Sequence, residues 1–551
     1  MNVSPEKDVM SSPISRRTAL RTFGLGAASL FAATACSDAS AGPTAGTGTR
    51  GGDFVYLDAE VTASMQVQVS YWQNSAVKDQ MLDRLVYQDP KTFEFVPWIA
   101  ESWSVDPTRT VYTFVIRDGV SYSNGQALDA ASVARNLLWF ANGDPDKGIP
   151  RNSIFPEVLS ADADNAARTV VVTLARPDAP FVPTLSMNTA GLVADATIDA
   201  TNEQQSVVTN LIGSGPFVAE SEIPAKEIRL VKRRGYDWAP PTADHQGEAY
   251  LDSLTIVPVR EDSVRVGALL SGQAHALRYT QPPDEKVLSD RGFTVLGLRN
   301  PGLANVLDVR QTAEFVDDIR VRKALMYGID RHEIIDTLYT DNWKVATNVT
   351  TEGVQGWTDR SDEVRFDPDE SNRLLDDAGF TDRNADGIRT RDGRPLDLSV
   401  YVDVYDHTSK PLYEFVQRQL RRIGISLTIK QTDFANYPKA TTAPELSLRR
   451  NGWPAPDPVR LSVNYDSDRG DLFQLQGKDP VLDGLLRDHI TATDPLVRET
   501  ILREAQNRII DNAYTIPLLA DTQIFGVAPE VRGFRNAANS PPFFYDTWIE
   551  Q

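Results

Sequence analysis

The chain contains a single cysteine, Cys36, so no disulfide can join two parts of it. With 551 residues, of which 41% are hydrophobic and 24% charged, it has the composition of a globular protein and is too long for one ordinary core. We therefore expect two or three packed lobes, and each must be held together without a covalent cross-link.

Residues 1–35 have the pattern of an export signal. Arg16 and Arg17 precede an uncharged stretch of small and apolar residues at 22–35. That stretch is shorter than the roughly 20 residues needed to span a bilayer, so it is typical of a cleaved signal peptide. The arginine pair resembles the twin-arginine signal of proteins that are exported folded. An ordinary secretory signal with two adjacent arginines is the alternative.

Cys36 stands directly after the apolar stretch, where it resembles the acylated cysteine of a lipobox. Acylation would make it the first mature residue; the alternative is an incidental cysteine within a discarded signal. Residues 36–52 are rich in Ser, Ala, Gly and Thr, the composition of a flexible tether. We therefore predict a body anchored to the cell membrane by lipid on Cys36, with no further membrane segment.

The net charge disfavours one class of partner. Removing residues 1–35 takes four of the 56 basic and two of the 76 acidic residues, which leaves a net charge of −22. A body this acidic is repelled by phosphate backbones, so we expect no nucleic-acid binding.

Strand and helix patterns are mixed along the chain, which predicts the α/β class. The β-branched and aromatic runs are at 110–116, 168–174, 254–259, 425–429 and 516–519. Helical periodicity begins at Val321, Asp367, Leu412 and Asp494, and Asp330 with Glu333 and Asp367 with Glu370 have the spacing of capping boxes.

A series of short motifs carries a family resemblance. The segments are 97–103 (PWIAESW), 112–120 (YTFVIRDGV), 213–217 (GSGPF), 250–254 (YLDSL), 268–272 (ALLSG), 318–325 (DIRVRKAL), 329–331 (IDR) and 424–425 (GI). In this order they resemble family 5 of the bacterial extracellular solute-binding proteins, the peptide, nickel and oligosaccharide binders of ABC importers. Residues 121–125 depart from it, because the family usually has an aromatic-His-Asp-Gly turn there.

The resemblance implies a two-lobed periplasmic-binding-protein-like fold, type II and cluster C, that closes on a solute. It places lobe I at 53–80, 205–284 and 510–551, an extra subdomain at 81–204, and lobe II at 285–509. It also implies an extracytoplasmic monomer that passes a small molecule or peptide to the transmembrane permease subunits of an ABC importer. No cofactor is implied.

The resemblance points to one ligand-binding segment, which consists of Arg450, Asn451, Gly452 and Trp453 and is preceded by Arg449. In peptide-binding members an aspartate three residues after the tryptophan grips the peptide amino terminus; that position here is Pro456. Asp457 follows it and is the candidate replacement. A buried ammonium without a carboxylate is costly, so a neutral or weakly charged ligand such as an oligosaccharide is favoured over free peptides. Core packing is the alternative for the tryptophan.

Two aromatic residues early in the mature chain, Tyr71 and Trp72, lie where a loop of the first lobe meets the ligand in this family. Aromatic platforms suit both peptide and sugar ligands. Burial in the core is an equally good interpretation.

No motif indicates catalysis or a metal centre. The five histidines are isolated, and no HExxH, CxxC, GxSxG or Walker pattern is present. Residues 382–387 match the first half of a calcium loop, but Gly393 occupies the twelfth position, so a hydrated turn is the better interpretation. A secreted glycan hydrolase and a surface adhesin are the alternatives to a binding protein.

Overall fold

The computed structural model describes residues 48–550 apart from 62–63, 70–73, 404–408, 433–435, 441–442, 444, 468–478 and 539–540. The expected signal, Cys36 and most of the expected tether lie outside the described residues. No helix within the described ranges is both long and apolar enough to cross a membrane.

The strands, in chain order, are β1 (Asp53–Asp58), β2 (Val86–Gln88), β3 (Phe95–Pro97), β4 (Ala100–Val105), β5 (Val111–Ile116), β6 (Val158–Asp164), β7 (Thr169–Leu174), β8 (Phe217–Ile223), β9 (Glu227–Lys232), β10 (Ser253–Pro258), β11 (Ala276–Arg278), β12 (Thr294–Arg299), β13 (Asn305–Val309), β14 (Asp382–Arg383), β15 (Arg389–Arg391), β16 (Arg394–Pro395), β17 (Asp397–Asp403), β18 (Ser426–Thr432), β19 (Leu448–Asn451), β20 (Thr515–Leu519), β21 (Thr522–Val527), β22 (Val531–Arg532), β23 (Arg535–Asn536), β24 (Pro542–Phe543) and β25 (Trp548–Ile549).

The helices, in chain order, are α1 (Ser75–Met81), α2 (Ala130–Asn142), α3 (Phe181–Thr184), α4 (Asp195–Asp199), α5 (Asn202–Gln205), α6 (Asp262–Leu270), α7 (Pro282–Asp290), α8 (Ile319–Gly328), α9 (Arg331–Leu338), α10 (Pro368–Asp377), α11 (Ser409–Arg422), α12 (Tyr437–Ala440), α13 (Arg460–Tyr465), α14 (Pro480–Thr491) and α15 (Pro495–Asp511).

Three sheets organise the body. The seven-stranded sheet of lobe I has the order β12-β21-β11-β1-β10-β9-β8, and the five-stranded sheet of lobe II has the order β18-β17-β19-β13-β20. The four-stranded antiparallel sheet β4-β5-β7-β6 belongs to the extra subdomain. Two of its strands, β5 and β7, correspond to the β-branched and aromatic runs at 110–116 and 168–174.

Buried apolar residues form two large clusters. One extends through lobe I and the extra subdomain, and the other fills lobe II. Val295 on β12 packs against both clusters, at the side where the lobes are joined. The extra subdomain therefore shares its core with lobe I, whereas lobe II has a core of its own.

The two crossings between the lobes correct the boundaries expected from sequence. Strand β12 pairs along its whole length with β21, so residues 285–299 belong with lobe I. Strand β20 pairs with β13, so residues 510–519 belong with lobe II. The chain therefore crosses at 300–304 and at 520–521. The expected boundaries were wrong because helix signals locate elements but do not reveal which sheet a neighbouring strand joins.

Several local predictions are confirmed. The Asp330 and Asp367 side chains accept hydrogen bonds from the backbone N–H groups of Glu333 and Glu370, both at 3.0 Å, and so cap α9 and α10. The glutamate side chains do not complete the capping boxes but bind the arginines Arg422 and Arg373. The calcium-like segment is a turn between the short strands β14 and β15. The Asn384 side chain closes it by accepting two backbone hydrogen bonds.

A fully buried carboxyl, Asp83, lies at the junction of the extra subdomain and lobe I. It accepts hydrogen bonds from the Trp238 indole at 2.8 Å and the Tyr236 hydroxyl at 3.3 Å. Burial raises its pKa from the usual range to about 6, although the hydrogen bond from Trp238 and the nearby arginines Arg233 and Arg84 oppose the shift. The folded state therefore holds this proton more tightly than the unfolded chain.

The pKa shift of Asp83 predicts a stability that depends on pH. We expect its contribution to the free energy of unfolding to be largest below about pH 4 and to fall by about 2 to 3 kcal/mol as the pH rises to about 6. Urea unfolding of the wild type and Asp83→Asn at pH 4, 5, 6 and 7 measures this. The difference between the two proteins should change over that interval; a difference independent of pH would contradict the assignment.

Candidate functional site

The carboxyl ends of the parallel strands face the two crossings in both lobes. In lobe I these strands are β1, β10 and β11, and β21 begins at the same edge. In lobe II they are β17, β18 and β19, and β13 begins at the same edge. Ligands of open α/β sheets bind outside the carboxyl ends of the strands. The space between these two edges is therefore the candidate site.

Side chains on the two crossings bind each other. The Asn300 side chain donates to the carboxylate of Asp521, and its backbone N–H donates to the Asp521 carbonyl at 3.1 Å. The Asn305 amide donates to the same carboxylate at 3.3 Å. The crossings thus form one hydrogen-bonded unit, the place where a hinge motion between the lobes would be concentrated.

The segment that contains Trp453 is bonded directly to the first crossing. The Leu303 N–H donates to the Trp453 carbonyl at 3.0 Å, and the Ala455 N–H donates to the Pro301 carbonyl at 2.8 Å. Gly302 lies between them with φ +134°, and a Cβ there would approach the Trp453 carbonyl oxygen to 2.4 Å. Only glycine fits this contact without moving the backbone. The tryptophan is therefore positioned by the hinge itself.

Trp453 presents a partly free aromatic face. Its exposed fraction is 40%, and the guanidinium carbon of Arg460, the first residue of α13, lies 4.4 Å from the centre of its ring. Arg460 is half-buried, and burial lowers its pKa to about 10, so it remains charged at neutral pH. It makes no ion pair or hydrogen bond with the described part of the chain. Sequence reasoning did not single out this arginine, since no motif contains it.

Arg449 and Asn451, expected to contact the ligand, are engaged within lobe II. The carboxylate of Asp308 on β13 accepts from Arg449 and Asn451, each at 2.8 Å, and from the Tyr465 hydroxyl at 2.7 Å. Arg449 and Asp308 are 4% and 1% exposed. The geometry therefore gives the predicted ligand contacts of these two side chains no support.

Asp457 is also engaged. Its carboxylate accepts from the backbone N–H of Val459 and from the guanidinium of Arg498, both at 2.8 Å, and it is 4% exposed. Arg498 further donates to the Gln355 side chain and the His489 carbonyl. This carboxylate already has a cationic partner, so its role as a replacement amine anchor stays a prediction that the geometry does not favour.

The remaining expected contacts fall into two groups. Arg450 lies on β19 and Gly452 lies just after it, beside Trp453, and both are half-buried. A Cβ on Gly452 would meet the Asn305 side chain at 2.7 Å. Tyr71 and Trp72 lie outside the described residues.

Lobe I contributes a buried ion pair that sequence reasoning missed. Arg278, at the end of β11, lies 3.5 Å from the Asp58 carboxylate at the end of β1, and both are almost fully buried. Arg278 also donates to Gln523 on β21 at 3.0 Å. The next residue, Tyr279, has a left-handed backbone with φ +61°, a strained conformation at the sheet edge that faces the crossings. Only the order of strands in the sheet brings these residues together.

The described residues contain one serine–histidine contact, Ser462 Oγ to His489 Nε2 at 2.7 Å. Both side chains are fully buried and Ser462 also donates to the Leu486 carbonyl, which is typical of helix packing. No group of three or more potential metal ligands occurs in the described ranges.

Comparisons with known proteins agree with this architecture. The chain is 23% identical to heme-binding protein A of Haemophilus influenzae over 520 residues, 90% of this chain and 91% of the relative. It is 23% identical to the glutathione-binding protein GsiB of Salmonella paratyphi A over 501 residues, 88% and 90% of the two chains. The structure of NikA from Brucella suis in complex with Fe(III)-EDTA superposes with a TM-score of 0.78 at 21% identity, covering 91% of this chain and 100% of NikA.

These similarities confirm the predicted fold, a two-lobed binding protein of the periplasmic type. The family model described as "Bacterial extracellular solute-binding proteins, family 5 Middle" matches residues 94–471, more than half of the chain. The chain therefore belongs to family 5 of the bacterial extracellular solute-binding proteins.

Proposed function

We propose that this protein captures a small solute bearing a carboxylate or another anionic group between its lobes, and delivers it chemically unchanged to the permease of an ABC importer. The observation that carries the ligand class is Arg460, a half-buried cation stacked on the exposed face of Trp453. This ligand class differs from the neutral or weakly charged ligand that the sequence analysis favoured. That analysis did not single out Arg460.

The contrast with the other buried arginines supports this ligand class. Arg449, Arg498 and Arg278 each lie beside an aspartate, and Arg331 donates to four backbone carbonyls. Arg460 has no such partner among the described residues. A desolvated charge is stable when a counter-charge accompanies it, and an anionic ligand group would supply one.

The position of the family's amine-binding aspartate supports the same ligand class. It is occupied by Pro456, and the neighbouring Asp457 is paired with Arg498. A free ammonium would therefore meet no available carboxylate in this segment. Trp453 offers an apolar face on which the body of an anionic solute can lie.

The ligand class is tested by calorimetric titration of the mature protein with matched peptides. One dipeptide is offered with both termini free, N-acetylated, and C-amidated. We expect N-acetylation to be tolerated and amidation to weaken binding by a factor on the order of 10 to 100, the value of a charged hydrogen bond. The same comparison applies to a sugar acid and its neutral sugar, and mass spectrometry of the released solute checks that it is unchanged.

Arg460→Gln is the variant that tests the residue. It should weaken the acidic ligand by the same factor and leave the affinity for its amidated or neutral counterpart unchanged. Arg176→Gln, which changes an exposed arginine of the extra subdomain, is the control. Tighter binding of the amidated peptide, or equal loss for both ligands in Arg460→Gln, would contradict an anionic ligand.

We further propose that the protein is a monomer outside the cytoplasm, exported by the twin-arginine route and attached to the cell membrane through acylated Cys36. The basic, apolar and cysteine pattern at residues 15–36 supports this location. We expect Cys36→Ser to move the protein from the membrane fraction to the soluble fraction, and mass spectrometry of the wild type to show diacylglycerol on residue 36. A soluble wild type, or one without that mass, would refute the anchor.

A further inference from the structure

A buried carboxylate of lobe I is bound by three side chains of lobe II. Glu285, in the first turn of α7, is 3% exposed. Its Oε2 accepts from the Thr340 hydroxyl at 2.6 Å and the Asn342 amide at 2.7 Å, and its Oε1 accepts from the Trp343 indole at 3.0 Å. We call this contact between Glu285 and residues 340–343 the Glu285 catch. It joins the two lobes at a place outside both crossings.

The loop that holds Glu285 is fixed to lobe II beside the second crossing. The Ala520 N–H of that crossing donates to the Lys344 carbonyl at 2.9 Å. On its other side the loop packs against β12 of lobe I, where a Cβ on Gly297 would lie 2.9 Å from the Asn342 Cβ. Residues 340–343 therefore belong to lobe II but lie directly on the surface of lobe I.

The catch lies near the crossings but not on them. Gly297 precedes the first crossing by three residues, which is about 10 Å along a strand. A lobe rotation of about 15°, as in rigid-body allosteric transitions, moves a point at that distance by about 2 to 3 Å. The three hydrogen bonds to Glu285 do not survive such a displacement, because hydrogen bonds require nearly ideal distances. The lobes can therefore separate only if the catch opens.

The environment of Glu285 makes this contact reversible. Its three partners are neutral, and no basic side chain in the described part of the chain lies within ion-pair distance of it. Asp308 and Asp457, in contrast, are each paired with an arginine of the same lobe. When the lobes separate, the Glu285 carboxylate returns to water and its bonds are exchanged for bonds to solvent. The catch can therefore open without leaving a charge buried and unpaired.

A second charged contact between the lobes is weaker. Arg299 on β12 lies 3.0 Å from Glu352 of lobe II, but both side chains are exposed, and exposed ion pairs contribute little. The neighbour of Glu285 on α7, Lys286, is also exposed and pairs with Asp290 of the same helix. Lys286 is therefore a matched control for Glu285.

We propose that Glu285 is a positioning residue for solute capture. The Glu285 catch holds the lobes in the arrangement in which the extra subdomain touches lobe II through the Ala179 N–H and the Ile490 carbonyl, at 2.7 Å. Its release permits the separation by which a solute enters and leaves. This inference concerns the regulation of the site at the crossings. It rests on the solute capture proposed above but on no particular ligand class.

The distance between the lobes tests the catch without any solute. In a Cys36→Ser background the chain has no cysteine, so Lys226→Cys in lobe I and Glu414→Cys in lobe II, both at exposed positions, carry the only spin labels. Double electron–electron resonance then gives the populations of contacting and separated lobes. We expect Glu285→Ala to lower their ratio by a factor on the order of 10 to 100, because three hydrogen bonds are lost.

Two further variants complete this comparison. Trp343→Phe removes one donor of the catch and should lower the ratio by about threefold to tenfold. Lys286→Ala should leave it unchanged. Identical distance distributions in Glu285→Ala and Lys286→Ala overturn the proposal. A change confined to the urea unfolding midpoint also overturns it, because Glu285 would then serve the fold alone.

A disulfide provides a second test that needs no label. The Cβ positions at Gly297 and Asn342 are close to the separation of about 3.5 to 4.5 Å found in disulfides, so Gly297→Cys with Asn342→Cys can be oxidised when the catch is closed. Equilibration with glutathione, again in the Cys36→Ser background, measures the effective concentration of the two thiols. Glu285→Ala should lower it by about tenfold, since two donors remain at Thr340 and Trp343. An unchanged effective concentration overturns the proposal.

These outcomes are separable from those of the proposed ligand. If the distances and the effective concentration respond to Glu285→Ala, the catch stands even when no anionic solute binds. If they do not respond while an acidic solute binds as expected, the catch is refuted and the proposed function remains.

Discussion

Asp457→Ala is expected to lower the free energy of unfolding by about 3 to 5 kcal/mol, because it leaves the guanidinium of Arg498 buried without its counter-charge. Most of this cost arises from the stranded cation, and a smaller part from the lost hydrogen bond to the Val459 N–H. Urea unfolding of the mature protein at pH 7 without ligand measures it. Asp457→Asn, which can still accept from Val459, should lose less.

A matched control lies at the start of α15, the helix that carries Arg498. Asp494 is exposed and caps α15, so Asp494→Ala should cost only about 1 kcal/mol. If Asp457→Ala is no worse than Asp494→Ala, the buried ion pair contributes little. If the Asp457 variants stay stable but lose affinity for N-terminally free peptides, the carboxylate is an amine anchor after all.

Asp308→Ala should be similarly destabilising, by about 3 to 5 kcal/mol, since it removes the shared acceptor of three donors, of which Arg449 and Tyr465 are buried. Arg449 loses its ion pair, and the Asn451 amide and Tyr465 hydroxyl lose hydrogen bonds inside lobe II. Tyr465→Phe removes one donor and leaves the carboxylate with two, so it should cost only about 1 kcal/mol. Both are measured by urea unfolding.

The two variants of this cluster also test its role. If Asp308→Ala unfolds at the wild-type urea concentration but binds solute more weakly, Arg449 and Asn451 face the ligand and the cluster is not structural. Loss of stability with an unchanged ligand affinity of the folded fraction is the result that the geometry predicts.

Local chemistry could be predicted well from the sequence. The capping aspartates Asp330 and Asp367 were recognised because a cap depends only on residues within one helical turn. The strand at 110–116 was recognised from its β-branched and aromatic side chains, since those pack well in a sheet. The family was identified from motifs whose order extends over nearly the whole mature chain, although each motif alone is short.

Long-range pairing could not be predicted. Asp308 and Arg449 are 141 positions apart, and Asp457 and Arg498 are 41 apart, so nothing near Arg449 or Asp457 in sequence indicates that their charges are already neutralised. These residue types suit ligand contacts and structural ion pairs equally well. Arg460 was missed because it differs from the other arginines only in having no ion-pair partner among the described residues. The sequence does not show that difference.

The placement of β21 has a consequence for how the protein forms. This strand follows lobe II in the chain, yet it lies between β11 and β12 in the interior of the lobe I sheet. Lobe II is continuous in sequence, so most of its core can form before β21 leaves the ribosome. The lobe I sheet keeps a gap until β21 has been synthesised. A nascent chain therefore combines a folded lobe II with an incomplete lobe I sheet. Premature termination releases a molecule with two unpaired strand edges, which is prone to aggregation or degradation.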